Sequence, residues 1–240
     1  MKILLHVCCG PCAAHVAREL ARHHNVTLFF YNPNAWPEAE YGKRLDAARR
    51  LAETVGLPLV VGEYDASAWE SAVRGLEQEP EGGRRCEVCF EFRLAKTAQT
   101  AASEGFDTFT TTLSVSPHKD AATISRIGAR LAKSPLVRGD SGGCLPESPL
   151  AKGDSGGCFP PAGPRPVAAC GATLLPGLSL RAAARQSQPL QFLAEDFKKH
   201  DGFKKSLGAC RELDLYRQTY CGCKYSVRSR HDKARCPERT

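Results

Sequence analysis

The chain has 240 residues, of which 42% are hydrophobic and 25% charged, with a formal net charge of +7 and twelve cysteines. This composition is typical of a globular protein with a substantial core, and no apolar run reaches the roughly 20 residues that span a bilayer. We therefore expect a cytoplasmic protein with no membrane partner and no secretion leader. In a reducing compartment, cysteines indicate metal-binding or catalytic thiols rather than structural disulfides, and the positive charge permits a nucleic-acid partner.

A short apolar run at residues 3–7 predicts a buried first strand, which ends at three closely spaced thiols, Cys8, Cys9 and Cys12. A Gly-Pro pair breaks the strand, and a helix is predicted from Cys12 onward with proline in its first turn. The thiols thus lie at a helix N-terminus, which favours negative charge and lowers the pKa of nearby thiols. Thiolates held in such a loop are suited to metal binding or redox chemistry.

Strands alternate with helices through the first half of the chain. Strands are predicted at 26–31, 59–61 and 106–113, and helices at 38–55, 66–76, 90–103 and 118–132. This alternation predicts an α/β fold, with a mostly parallel sheet covered by helices on both faces. Ligands of such sheets bind beyond the carboxyl ends of the strands, where the Cys8 loop and the loop at Tyr31 and Asn32 would meet. His118 and Lys119 follow the end of a later strand.

The composition changes abruptly at residues 133–189, which contain nine glycines and nine prolines. An eleven-residue stretch, 134–144, is repeated at 148–158. Such a segment cannot bury enough apolar surface to pack, so we predict a disordered insert. The predicted organisation is one α/β domain formed by 1–132 and 190–228, interrupted by this insert and followed by a charged tail at 229–240.

Outside the insert, thiols occur in three short clusters. Their members are Cys8, Cys9 and Cys12; Cys86 and Cys89; and Cys221 and Cys223. Two such clusters supply the four ligands of a tetrahedral zinc site or of an iron-sulfur cluster, and both remain open on spacing. Seven thiols exceed what structural zinc requires, and this surplus favours an iron-sulfur cluster together with a redox-active pair.

Several motifs in one order resemble the QueH family of epoxyqueuosine reductases, and the similarity covers nearly all of the chain outside the insert. The motifs are Cys8-Cys9-Gly10-Pro11-Cys12, Tyr31-Asn32-Pro33-Asn34, Glu40-Tyr41-x-x-Arg44, Glu81-Gly82-Gly83-Arg84-x-Cys86-x-x-Cys89, Phe106-Asp107 with Ser116-Pro117-x-Lys119, and Leu215-Tyr216-Arg217-Gln218-x-Tyr220-Cys221-Gly222-Cys223. The resemblance implies a Rossmann-like fold of the HUP type. It also implies reduction of epoxyqueuosine to queuosine at the wobble position of tRNA, the last step of queuosine synthesis.

By position in the family, the resemblance implies a 4Fe-4S cluster and a redox-active disulfide of Cys221 and Cys223, which an external electron donor would reduce. The implied cluster ligands are Cys8, Cys9, Cys86 and Cys89, and Cys12 is a candidate ligand of an additional mononuclear iron. We expect the tRNA substrate to contact Tyr31, Asn32, Tyr41, Arg44, His118, Lys119 and Arg217, assisted by Lys198, Lys199, Lys204 and Lys205.

A second hypothesis from another class is a zinc-stapled RNA-binding module without catalytic activity, which would use the basic last helix and tail. The insert is the departure from the family pattern. It precedes the place where a strand leading to Phe192 and Leu193 is expected, so we expect it to affect that strand. Anaerobic purification distinguishes the hypotheses, because thiolate-bound iron is coloured whereas a zinc protein is colourless.

Overall fold

The computed structural model describes residues 1–134 and 189–227. In these residues five strands form one parallel sheet: β1 Lys2–His6, β2 Asn25–Phe30, β3 Leu59–Val61, β4 Thr108–Thr111 and β5 Gln191–Phe192. Helices accompany them: α1 Gly10–Ala21, α2 Glu38–Val55, α3 Ala66–Ala72, α4 Arg84–Ser103, α5 Ala121–Ala132 and α6 Gly202–Glu212, with a further helical turn at 224–227. The predicted α/β fold is therefore confirmed.

The strands follow the order β3-β2-β1-β4-β5, the order of a Rossmann-like sheet. Parallel crossovers are right-handed as a rule, which places helices on both faces of the sheet. Helices α1, α2 and α6 pack together on one face, and α4 and α5 pack together on the other. Residues on both sides of the predicted insert contribute to this one sheet, since β5 pairs with β4. Among the described residues, no helix has the length and apolar character needed to cross a membrane.

The central strand β1 explains the apolar start of the chain. Ile3, Leu4, Leu5 and Val7 are fully buried, because helices cover this strand on both faces. The edge strand β3 is less buried, since the exposed fractions of Val60 and Val61 are 39% and 42%. Burial is thus deepest at the middle of the sheet, directly beneath the thiol loop.

Most predicted elements occur where expected, but several boundaries differ. Helix α1 begins at Gly10, before Cys12, because Gly10 and Pro11 can occupy the first helical positions where no backbone N–H partner is needed. Helix α4 begins at Arg84 rather than Phe90. The strand predicted at 106–113 is shorter, since Thr112–Val115 forms a 3-10 helix. The expected strand near Phe192 is present as the two-residue edge strand β5.

Apart from residues 133, 134 and 189, the predicted insert lies outside the described residues, as does the tail. The predictions of disorder and of domain boundaries therefore stay predictions.

Candidate active site

The candidate site lies between the parallel strands β1 and β4, at the point where the strand order of the sheet reverses. The crossover from β1 leads to one side of the sheet and that from β4 to the other, which opens a crevice beyond their carboxyl ends. The Cys8 loop follows β1, and the 3-10 helix Thr112–Val115 follows β4. The two are joined where the backbone N–H of Cys8 donates a 3.2 Å hydrogen bond to Thr112 Oγ1.

His6 connects three strand ends below this crevice. Its side chain is fully buried, with Nδ1 2.8 Å from Thr111 Oγ1 and Nε2 3.1 Å from the carbonyl oxygen of Tyr31. Burial, followed by the charge of Arg93, lowers the pKa of His6 to about 3. His6 is therefore a neutral hydrogen-bonding link at the floor of the site.

Cys8, Cys9 and Cys12 form a compact group of thiols. Their Sγ atoms all lie within 4.8 Å of one another, and the Sγ atoms of Cys8 and Cys9 are 3.8 Å apart. All three side chains are buried. Within residues 1–134 and 189–227, this is the group of potential ligand atoms that lies close enough to hold a metal ion.

The three thiols differ in their tendency to ionise. Hydrogen bonds from Cys12 and Cys9 hold the pKa of Cys8 well below its usual range. The bond with Cys12 lowers the pKa of Cys9, but its bond with Cys8 and burial raise that pKa to about 12. Bonds with Cys8 and Cys9, together with burial, raise the pKa of Cys12 well above normal. The group thus holds one thiolate readily, and a bound cation is needed to stabilise more.

Three cationic side chains face the thiols. Arg93 is 2% exposed and Arg44 is 3% exposed, while Lys119 is half-buried. Burial alone would lower the pKa of each, but the electrostatic influence of a neighbouring cysteine, chiefly Cys89 for Arg93, Cys9 for Arg44 and Cys8 for Lys119, raises it overall. Within the described ranges Arg93 and Lys119 form no ion pair with a carboxylate. This positive environment fits a thiolate-bound metal centre with net negative charge.

Cys86 and Cys89 lie in the first two turns of α4, rather than ahead of it. Cys86 Sγ accepts a 3.3 Å hydrogen bond from the backbone N–H of Gly82, and burial raises the Cys86 pKa to about 11. Both thiols lie outside the compact group of Cys8, Cys9 and Cys12. The four-ligand set of Cys8, Cys9, Cys86 and Cys89 therefore stays a prediction.

Cys221 and Cys223 reach the same region from the end of the described chain, and both are thiols in the structure. Cys223 is buried with Cys89, Trp69, Val73 and Val88 in a small apolar cluster. Cys221 is half-buried, and burial raises its pKa although the charge of Lys119 opposes that change. The predicted redox pair is thus brought beside the Cys-x-x-Cys motif.

A cleft of about 790 Å³ opens beside these thiols, which is within the usual size range of small-molecule sites. Its lining includes Cys12, Cys221, Lys119, His118 and Arg217. A smaller cavity of about 190 Å³ shares Cys221, His118 and Lys119 and adds Cys86. Thiols from three separate segments therefore line two adjoining spaces that share cationic side chains.

Three of the predicted substrate-binding residues, His118, Lys119 and Arg217, line this cleft. The other four, Tyr31, Asn32, Tyr41 and Arg44, are buried and do not appear in its lining. The amide of Asn32 donates to the carbonyl oxygen of Val7 at 2.9 Å and accepts from Arg93 at 3.4 Å. Contact of these seven residues with a substrate stays a prediction.

The family model described as epoxyqueuosine reductase QueH matches residues 3–138 and 178–229. The chain belongs to this family. Residues 139–177, which include most of the repeated segment, lie between the two matched stretches.

Curated members of the QueH family are similar to the chain over much of its length. It is 31% identical over 232 residues to the epoxyqueuosine reductase QueH of Streptococcus pyogenes serotype M1, covering 94% of the chain and 70% of that relative. It is 27% identical to the QueH of Thermotoga maritima, covering 96% and 93% respectively. It is 41% identical over 133 residues to the QueH of Haemophilus influenzae, and this stretch covers 55% of the chain and 54% of that relative.

Sequence reasoning missed several residues that shape the candidate site. Arg93 had no local signal, because it is one charged residue within an ordinary helical stretch. Thr112 stood in a run of strand-forming threonines, yet its hydroxyl contacts Cys8 Sγ at 3.4 Å. Gln218 was noted only as part of a motif, and its amide donates a 2.9 Å hydrogen bond to Cys9 Sγ. The composition around Gln218 gave no indication of this contact.

Proposed function

We propose that this chain reduces epoxyqueuosine to queuosine at the wobble position of tRNA, the last step of queuosine synthesis. Family membership supports the reaction. The observation that carries the proposal is the cleft lined by Cys12, Cys221 and Lys119, because it combines thiols with a cation in space large enough for a modified base. A tRNA substrate also agrees with the net charge of +7.

The proposed cofactor is a 4Fe-4S cluster bound by Cys8, Cys9, Cys86 and Cys89, with Cys12 as a ligand of an additional mononuclear iron. The chemistry of the donors supports this, since Cys8, Cys9 and Cys12 are buried, within 4.8 Å of one another and face buried cations. Bound iron would supply electrons singly and Lewis acidity toward an oxygen atom. Thiolate ligands are preferred by iron-sulfur clusters and by zinc, so the metal must be identified by analysis.

The reaction itself requires two electrons and two protons. Both carbon–oxygen bonds of the epoxide break, a carbon–carbon double bond forms, and the oxygen leaves as water. Oxidation of the Cys221 and Cys223 thiols to a disulfide releases two electrons and two protons, which balances the equation. The disulfide must then be reduced by an external donor, for which a dithiol reductant suffices. A disulfide that closes across the single residue Gly222 is suited to this resetting step, because strained disulfides are readily reduced.

The cleft side chains have separable roles in this proposal. Cys221 lines the cleft and is the thiol that a substrate can approach, whereas Cys223 is buried behind it. Lys119 and Arg217 present positive charge to the phosphates of the tRNA. Lys199, Lys204 and Lys205 are exposed, whereas the ammonium of Lys198 donates to the carbonyl oxygen of Lys119 at 2.7 Å. Lys198 would therefore act on tRNA through the Lys119 loop.

The test is an oxygen-free assay of the full chain with tRNA that contains epoxyqueuosine and a chemical dithiol reductant. We expect brown protein with iron and sulfide, and tRNA nucleosides that lose one oxygen atom, as measured by mass spectrometry. Treatment with an iron chelator should abolish both colour and turnover. Colourless protein with stoichiometric zinc, tight tRNA binding and no turnover would instead support the RNA-binding module.

A further inference from the structure

The backbone around the proposed redox pair is held by one buried arginine. Arg44 Nη1 donates a 3.0 Å hydrogen bond to the carbonyl oxygen of Cys221, and Nη2 donates a 3.2 Å bond to that of Tyr220. Tyr220, Cys221 and Gly222 lie in no helix or strand, so their carbonyl groups lack partners from regular secondary structure. Arg44 donates hydrogen bonds to two of these carbonyl groups at once through the planar fork of its guanidinium group.

Glu40 fixes the orientation of that guanidinium. It lies one turn earlier on α2, and its Oε1 accepts a 2.8 Å hydrogen bond from Arg44 Nε in a buried ion pair. The other carboxylate oxygen, Oε2, accepts a 2.7 Å bond from the hydroxyl group of Tyr216. Arg44 is therefore anchored on a rigid helix and aimed at the segment that follows Tyr216.

The absence of a side chain at Gly222 leaves room for the guanidinium group of Arg44. Its φ is 123°, in the region that favours glycine, and a Cβ at this position would overlap Arg44 Nη1. On the other side of the loop, the backbone N–H of Trp36 donates a 2.8 Å bond to the carbonyl oxygen of Gly222, and the Tyr220 hydroxyl donates to the carbonyl of Trp36. The residue between the two cysteines is thus clamped from both directions.

We propose that Arg44, oriented by Glu40, is a positioning residue that fixes the Cys221-Gly222-Cys223 loop relative to the Cys8, Cys9 and Cys12 thiols. Because α1 packs on α2, the helix that carries the thiol loop also determines where Arg44 lies. The distance between the redox pair and the thiol group is then set by two packed helices rather than by a mobile segment. This inference rests on the proposed function, since it assigns a role to the same pair of cysteines.

Misplacing reacting groups by about 1 Å can cost on the order of 100-fold in rate. We therefore expect Arg44→Lys to lower multiple turnover by about 100-fold. Lysine keeps the positive charge but cannot bridge two carbonyl groups with a planar fork. The KM for tRNA and the iron content should change little, because the change is to the loop geometry. A released loop should also expose Cys221, so its alkylation rate in the metal-loaded protein should rise about tenfold or more, as expected for loss of a charge-assisted hydrogen bond.

Arg49→Lys is the matched control, because Arg49 is an exposed arginine on the same helix whose ion pair is with Asp46. It should leave turnover, KM and Cys221 alkylation unchanged. Glu40→Gln and Gly222→Ala disturb the same contact from the two sides of Arg44, and each should reproduce the effect of Arg44→Lys. They also provide soluble test proteins if Arg44→Lys does not fold.

Normal turnover and normal Cys221 alkylation in Arg44→Lys, Glu40→Gln and Gly222→Ala would overturn the positioning role. A raised KM with unchanged turnover at saturation would also overturn it, because Arg44 would then contact the substrate. The alkylation measurement needs no tRNA. If the wild-type chain fails to reduce epoxyqueuosine while Arg44→Lys still accelerates alkylation selectively, the proposed function fails and the positioning of the loop stands.

Discussion

The chemistry of the individual thiols depends on what surrounds each of them. Hydrogen bonds from Cys12 and Cys9 lower the pKa of Cys8. Cationic side chains from other elements, Arg44 and Lys119, also lie near these thiols. Cys210, by contrast, is a buried thiol on α6 that donates to the carbonyl oxygen of Leu215 at 3.3 Å. Cys210 is thus buried like Cys8, Cys9 and Cys12, but it does not belong to their group of neighbouring thiols.

Replacement of Cys86 or Cys89 by alanine should abolish the brown colour and reduce iron and sulfide content, because each change removes a proposed cluster ligand. Iron and acid-labile sulfide analysis of anaerobically purified protein provides the measurement. Cys210→Ala is the control, since it removes a buried thiol outside the site and should leave the metal content unchanged. Full iron and sulfide content in both the Cys86 and Cys89 variants would refute the ligand assignment.

Replacement of Cys221 or Cys223 by serine should stop multiple turnover while leaving iron content intact, since serine cannot form the disulfide that releases the electrons. The measurement combines metal analysis with a time course on epoxyqueuosine-containing tRNA. Loss of iron in either variant would assign these thiols to the metal. Unchanged turnover in both would show that the electrons come from elsewhere.

At the scale of secondary structure, contact with helix α5 positions strand β5, which follows the predicted insert. Helix α5 packs on the short strand β5, and Gly128 faces the ring of Phe192 there. A Cβ at Gly128 would lie 2.5 Å from that ring. Since β5 has only two residues, this contact with α5 adds to the backbone hydrogen bonds that hold the segment beside β4.

Gly128→Ala should lower the free energy of unfolding by about 1–3 kcal/mol, because the added methyl group forces Phe192 away from its packed position. Gly42→Ala is the matched control, as Gly42 lies within α2 and a Cβ there would have nothing within 4 Å. Alanine is the better helix former, so this control should gain about 0.5–1 kcal/mol. Urea unfolding monitored by circular dichroism measures both, and equal stabilities would contradict the packing argument.

At the scale of the whole molecule, sequence on both sides of the predicted insert builds one sheet and one cleft. Strand β5 forms one edge of the sheet, and the segment with Arg217 and Cys221 lines the cleft together with Cys12 of α1. The family match stops at residue 138 and resumes at 178, which leaves 139–177 unmatched. The unmatched part is therefore narrower than the segment of 133–189 that composition alone delimits.

Replacing residues 133–189 by a short Gly/Ser linker should leave thermal stability similar or higher, because Gly/Pro-rich sequence cannot bury enough apolar surface to offset chain ordering. A second variant that replaces only 139–177 serves as its control. Thermal unfolding of both measures the result. Loss of stability in the longer replacement alone would show that sequence within 133–138 or 178–189, such as Leu178 and Leu180, packs on the sheet.

Binding of tRNA should weaken as salt increases, because cationic side chains displace counterions from the phosphates. Changing Lys204 and Lys205 together to glutamate should weaken binding and reduce the slope of log Kd against log salt by about 0.7–0.9 for each lost contact. Lys96→Glu, an exposed change on α4 at the other face of the sheet, is the control. Filter binding at several salt concentrations gives the slopes, and identical slopes for all three proteins would exclude these lysines from the interface.

The amino-acid sequence by itself determined the α/β class, the position of the thiol loop after the first strand, and the family. These features depend on local periodicity, on glycine and proline at element ends, and on the order of motifs, all of which are properties of neighbouring residues. The sequence also predicted the bounds of helix α2. Glycine commonly ends helices because it readily adopts the left-handed conformation, and Gly56 does so here.

Tertiary structure alone decided which thiols are neighbours and what holds them. The proximity of Cys223 to Cys89, the contact of Gln218 with Cys9, and the clamp of Arg44 on the Cys221 loop join residues more than a hundred positions apart. It also showed that Arg44, expected to contact the substrate, is buried against backbone carbonyls. An arginine can donate to a phosphate, a carboxylate or a carbonyl group, so its residue type does not reveal its partner. That partner is fixed only when the strands and helices pack and bring distant segments into contact.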